Sequence, residues 1–84
     1  MNMTGQSNNY ETKDLSVATF LYATGLVSLI DTIKVSPKEI YFRFSPKDKA
    51  DELVRQYWNL QAPPIQPKAL MTAMRDIKDL IFAS

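Results

Sequence analysis

The sequence contains no histidine and no cysteine, and its only glycines are Gly5 and Gly25. Without histidine there is no imidazole general base and no Ser-His-Asp triad. Without cysteine there is no thiol nucleophile, no disulfide and no Cys/His zinc site. Two glycines twenty residues apart cannot build a glycine-rich phosphate loop. Lysine is left as the one base for a serine or threonine nucleophile, and no Ser-x-x-Lys spacing occurs. The expectation is a protein that is not an enzyme and carries neither cofactor nor metal. Long hydrophobic runs are missing too. The most apolar stretch, Leu15 to Ile33, is broken by Ser16, Ser28, Asp31 and several threonines, too polar for a membrane span of about 20 residues. The first ten residues carry neither the positive charge nor the apolar run of a secretory signal. Together with the lack of cysteine, this places the chain in the cytoplasm as an expectation.

What is present is ordinary globular material: 84 residues, 45% hydrophobic and 23% charged, with ten basic against nine acidic side chains. That length holds one domain. Residues 1–11 read as a flexible, small and polar lead-in, and residues 12–84 as a single α+β domain. Thr12 to Thr24 has an apolar face at helical spacing (Leu15, Val17, Ala18, Leu21, Tyr22). Thr12 or Asp14 serves as its N-cap, Gly25 is its left-handed stop, and Phe20 lies off the centre of the face. Leu26 to Val35 is rich in β-branched residues. Ile40, Phe42 and Phe44 alternate with Tyr41, Arg43 and Ser45, the period of a half-buried strand. Ser36-Pro37-Lys38 between them reads as a hairpin turn, because proline presets its φ. Ser45-Pro46 opens a second helix, with serine as N-cap, proline at the first helical position and Asp48 as capping-box acid. Its stripe is Ala50, Leu53, Val54 and Tyr57. Pro63-Pro64 ends the helical pattern, and Pro67 starts a third helix with Leu70, Ala73, Met74, Ile77 and Ile81 on one face. The predicted order is α-β-β-α-α, a two-stranded antiparallel hairpin packed on three helices.

The segments Thr12-Lys-Asp-Leu15, Leu53-Val-Arg-Gln-Tyr-Trp-Asn59, Pro67-Lys-Ala-Leu70 and Arg75-Asp-Ile-Lys-Asp-Leu-Ile81 carry a resemblance in their order and spacing. The chain resembles a family of short bacterial proteins classed only as a domain of unknown function, over about residues 12–82. It departs from that pattern after Asn59, where Leu60-Gln-Ala-Pro-Pro stands in place of a glycine-bearing turn. The resemblance implies a shared fold and assigns no activity or site.

Two functional readings remain. Between Lys34 and Lys49, five cations (Lys34, Lys38, Arg43, Lys47, Lys49) stand against Glu39 and Asp48, leaving three positive charges. With Tyr41 and Arg43 on the outer side of the hairpin beside Thr32 and Lys34, this stretch offers phosphate contacts and a stacking ring for nucleic acid. A whole-chain charge of +1 is far from a basic nucleic-acid footprint, and exposed strands carry lysine and aromatics in any case. The other reading, ranked first, is a protein–protein interaction or self-association module, such as a homodimer. A two-stranded hairpin leaves edges open to pairing, and the first strand has only Asp31 and Lys34 as charges. Thr32 faces outward there if Ile33 faces inward. Trp58, beside Tyr57, is the candidate contact for a foreign protein, and Met71 and Phe82 lie off the buried stripe of the third helix. Asp48, Asp51 and Glu52 crowd one helix start, where acids meet the positive end of the dipole and where Lys47, Lys49 and Arg55 neutralise them.

Overall fold

In a computed structural model, which describes residues 8–83, strand β1 (Tyr10–Thr12) leads into helix α1 (Leu15–Thr24). Strands β2 (Ser28–Ser36) and β3 (Glu39–Ser45) follow, then helices α2 (Lys47–Trp58) and α3 (Pro67–Ala83). The α+β class and the three helices match the sequence pattern, but the sheet has three strands rather than two and the order begins with a strand. β3 lies in the middle, in the order β1-β3-β2, with both pairings antiparallel. Tyr10 and Glu11, expected in the lead-in, pair with Phe44 and Arg43, and Thr12 pairs with Phe42. Three residues are too few to show a period, so this strand is specified by its partner more than by itself. Residues 1–7 of the expected lead-in lie outside the described residues.

Alternation along β3 holds as predicted. Phe42 and Phe44 are fully buried and Ile40 packs at the margin of the core, while Tyr41 and Arg43 take the other face. β2 does not keep one period. Its register slips between Leu29 and Asp31 and again between Lys34 and Ser36, so Ile30 and Val35 stand outside regular pairing. The first slip reverses the expected phase. Thr32 is opposite Phe42, on the core side, and Ile33 is opposite Tyr41 on the outer side. The expectation of an outward Thr32 beside an inward Ile33 is therefore corrected, as is the placing of Thr32 and Lys34 beside Tyr41 and Arg43.

α1 is the central helix, packed along α3 and also touching α2 and β1. That explains why Phe20, off the face predicted from spacing, is buried beside Tyr57 at 5.0 Å between ring centroids. Asp14 is the N-cap, accepting from the Ser16 and Val17 amides at 2.8 and 3.2 Å, and Thr12 Oγ1 in turn accepts from the Asp14 amide. Gly25 closes the helix at φ 69°, in the left-handed region. At α2 the cap expectation is corrected. Pro46, not Ser45, is the N-cap, and no side chain caps the helix; Lys47 and not proline is its first residue. Asp48 still lies in the first turn.

Candidate functional site

Two hollows flank the N-terminal turn of α1. The larger, about 630 Å³, is a groove between α1, the end of α2, the proline-bearing linker and α3. Its walls are Leu15 and Phe20 from α1, Tyr57 from α2, Ile65 from the linker, and Leu70 and Met74 from α3. Helical spacing produces this directly. Buried Ala73 and Ile77 turn toward the core, and Leu70 and Met74, on the adjoining strip of the same helix, are left 38% and 42% exposed at the rim. Pro63-Pro64 denies the linker any helix, so Ile65 is laid against the groove by an extended segment. Polar groups at the groove are few: Ser16, Thr19 and Lys78. Met71 and Phe82, 62% and 84% exposed, continue the apolar surface along α3.

The smaller hollow, about 360 Å³, lies between the β1–α1 junction, the hairpin turn and the C-terminal part of α3. Lys13, Lys34 and Lys38 line it above a floor that includes Ile40 and Ile81. Among the described residues Glu39 is the one acid lining it, held by Lys13 Nζ at 2.7 Å, and that hydrogen bond raises the pKa of Lys13.

The five predicted nucleic-acid contacts therefore separate. Lys34 and Lys38 join Lys13 at the smaller hollow. Arg43 instead donates through Nε and Nη2 to both carboxylate oxygens of Asp31 at 2.7 Å, with Glu11 3.9 Å away. This fork holds the Asp31 carboxyl below its usual pKa and raises that of Arg43. Lys47 reaches Asp51 at 2.6 Å, which raises the lysine pKa, and Lys49 lies 3.7 Å from Glu52. Nucleic acid would have to displace acids of this same chain from three of its five proposed contacts. The acidic trio at the α2 start is likewise divided, with Asp51 and Glu52 each beside a lysine. No three metal-capable side chains converge among the described residues.

Trp58 is 64% exposed at the end of α2, its ring edge-on to Tyr57 at 5.1 Å and outside the groove wall. Tyr41 is half-buried on the outer sheet face, and Thr32 is turned to the core side. Leu15, Ile65, Leu70, Met74 and Lys13 were not singled out by sequence reasoning. Leu70 and Met74 carried no signal of a groove, because their i, i+3, i+4 spacing with Ala73 and Ile77 reads as one buried stripe. For Lys13 there was none either. Among the described residues no helix is long and apolar enough to cross a membrane.

Searches among curated proteins and among solved structures return no match. The comparison with protein families does. Over residues 7–83, nearly the whole chain, it matches the family described as Domain of unknown function (DUF5659), and the protein belongs to that family.

Proposed function

We propose that this protein is a non-catalytic interaction module that receives an apolar segment of a partner protein in the groove between α1 and α3. The observation that carries the reading is the groove itself, an apolar-walled hollow of about 630 Å³ whose rim residues Leu15, Leu70 and Met74 are 38–50% exposed. Grooves of this make take amphipathic helices or extended apolar segments, and methionine suits a wall that must adapt. The partner is read as a foreign protein rather than a second copy. Pairing through the free edge of β2 is the rival route to self-association. That edge is interrupted by two register slips within nine residues, a device that blunts strand edges.

Selection of peptides from a displayed random library on the intact protein, followed by amide chemical-shift mapping, tests the proposal. Selected peptides should share apolar anchors, shift Thr19, Leu70 and Met74, and bind Met74→Glu about tenfold more weakly or worse. Met74 is exposed enough for that variant to keep its far-UV spectrum. Peptides that bind the variant equally, or shifts confined to β2, overturn the proposal. So does a concentration-dependent mass in sedimentation that Thr32→Pro abolishes, since that would make the β2 edge the interface.

A further inference from the structure

We infer that α3, with the linker before it, is an arm exchanged between two copies of this chain at high concentration, each α3 seated on the α1 of the other. The inference goes beyond the groove reading, because an exchanged arm fills the seat α3 already holds and leaves the groove open to a foreign segment. The turn after α2 carries it. There the Asn59 amide donates to the Arg55 carbonyl, Leu60 to Tyr57 at 3.2 Å and Gln61 to Gln56 at 2.8 Å. These last two bonds make a Schellman turn, with Leu60 at φ 59° in the left-handed position that glycine usually holds. A leucine is strained there, and at 93% exposure it gains no packing in return.

Local preference points the other way. Leucine and glutamine are among the better helix formers, so Asn59, Leu60 and Gln61 are suited to continue α2. Pro63 sets the limit, because a residue before proline is disfavoured in the helical region and Ala62 therefore ends the extension. An α2 longer by three residues carries the chain onward by about 4.5 Å, in place of turning it back over α1. Past the turn the arm is held by side chains. Pro63 and Pro64 have no N–H, and among the described residues the amides of Ala62, Ile65 and Gln66 donate no backbone hydrogen bond. Ala62, Ile65 and Ile77 pack into the core, α1 is the helix that α3 lies along, and Tyr22 donates to Asp76 across that seam at 3.0 Å. The arm of a second copy makes every one of these contacts equally well. Exchange therefore costs freedom of association and no packing, and it releases the strain at two turns. An empty seat would leave core side chains in water, so opened chains pair. In the dimer each groove takes Leu15 and Phe20 from one chain and Leu70 and Met74 from the other, and one particle presents two grooves.

The test uses the full chain, refolded from denaturant at micromolar and at millimolar concentration so that arms redistribute. Sedimentation should show a dimer at the higher concentration. The chain has no cysteine of its own, so Tyr22→Cys and Asp76→Cys chains are mixed, refolded together and treated with a short bis-maleimide. These two positions meet across the α1–α3 seam, so chains become linked to each other where the arm of one is seated on its partner. The double variant Tyr22→Cys/Asp76→Cys in dilute solution should link within one chain, which shows that the substitutions leave the fold in place. Leu60→Gly relieves two turns at once and should weaken the dimer about tenfold. Leu60→Ala, as strained and a stronger helix former, should leave it as tight or tighter. A monomer at every concentration, or a dimer that Leu60→Gly leaves unchanged, overturns the inference. A dimer without these links between chains overturns it as well, and where Thr32→Pro abolishes that dimer the groove reading falls with it.

Discussion

The outer face of the sheet and the surface along α3 are both open to solvent, yet they are built on different principles. On the outer sheet face one cation, Arg43, lies between two acids of its own chain, Glu11 on β1 and Asp31 on β2, so three strands are tied and little charge is left over. Along α3, beside exposed charges such as Arg75 and Lys78, four apolar side chains are exposed, Leu70, Met71, Met74 and Phe82, with a groove beside them. A surface that satisfies its own charges has no need of a second molecule. A contiguous apolar surface around a hollow is costly to leave in water and marks a place of contact. The difference teaches where on this small domain to look for a partner, and it can be broken at four points.

The largest effect tests the sheet itself. Phe42 is fully buried on the core face, and its neighbour Tyr41 is half-buried on the outer face. Phe42→Ala should cost about 3–5 kcal/mol in denaturant melts, a truncated aromatic leaving a cavity. Tyr41→Ala should cost much less. Equal losses would mean that the outer face is not an outer face, and the comparison would collapse.

These two residues also show how far the sequence was legible. β3 was readable because its alternation is local and its period is unbroken. The same logic failed on β2, where the slips after Leu29 and Lys34 shift the phase, so Thr32 and Ile33 exchange sides. β1 was missed because Tyr10 and Thr12 gain their meaning only from Phe44 and Phe42, thirty or more residues away. The candidate cations were read as one group, and their separation was not visible. Arg43 finds its acids across two strand pairings, and Lys13 enters the cleft only once α1 and the hairpin turn are placed together. Trp58 drew notice by its type, whereas the groove is made of common aliphatic residues whose exposure no single-helix pattern reveals.

On the helical side, the Tyr22 hydroxyl donates to Asp76 at 3.0 Å and links α1 to α3, and this bond raises the tyrosine pKa. Tyr22→Phe should cost about 1 kcal/mol, the net worth of such a bond near the surface. It should also weaken peptide binding slightly, because the groove is a gap between these two helices. A loss as large as that of Phe42→Ala would show that this one hydrogen bond, and not the buried packing of α1 on α3, holds the two helices together.

A smaller change, of opposite sign, comes at the linker. Leu60 has φ 59° and is 93% exposed, in the turn where the family resemblance leads one to expect glycine. A left-handed leucine costs roughly 1–2 kcal/mol, part of which glycine returns as chain entropy, so Leu60→Gly should stabilise the fold by about 0.5–1 kcal/mol. A gain in melting temperature with weaker peptide binding would identify a leucine that folding does not need and a partner uses. A gain without any change in binding would confine the partner surface to the groove and α3.

The smallest effect belongs to the outer face and is read against pH. Arg43 donates two hydrogen bonds to Asp31 and holds its carboxyl below the ordinary value of 3.8. A carboxylate whose pKa is lowered by folding adds stability above its unfolded pKa, and that stability is lost as pH falls through the depressed folded value. The parent should therefore exceed Arg43→Met in stability at neutral pH, by a margin that narrows below about pH 4 as Asp31 takes up its proton. Methionine keeps most of the apolar stem over the sheet, so the comparison isolates the charge. Salt should narrow the same margin at neutral pH, since the pair is exposed. Urea melts of both proteins from pH 3 to pH 7 measure it. A margin independent of pH and salt would mean that Arg43 holds the sheet by packing alone, and the outer face would no longer be a surface that satisfies its own charges.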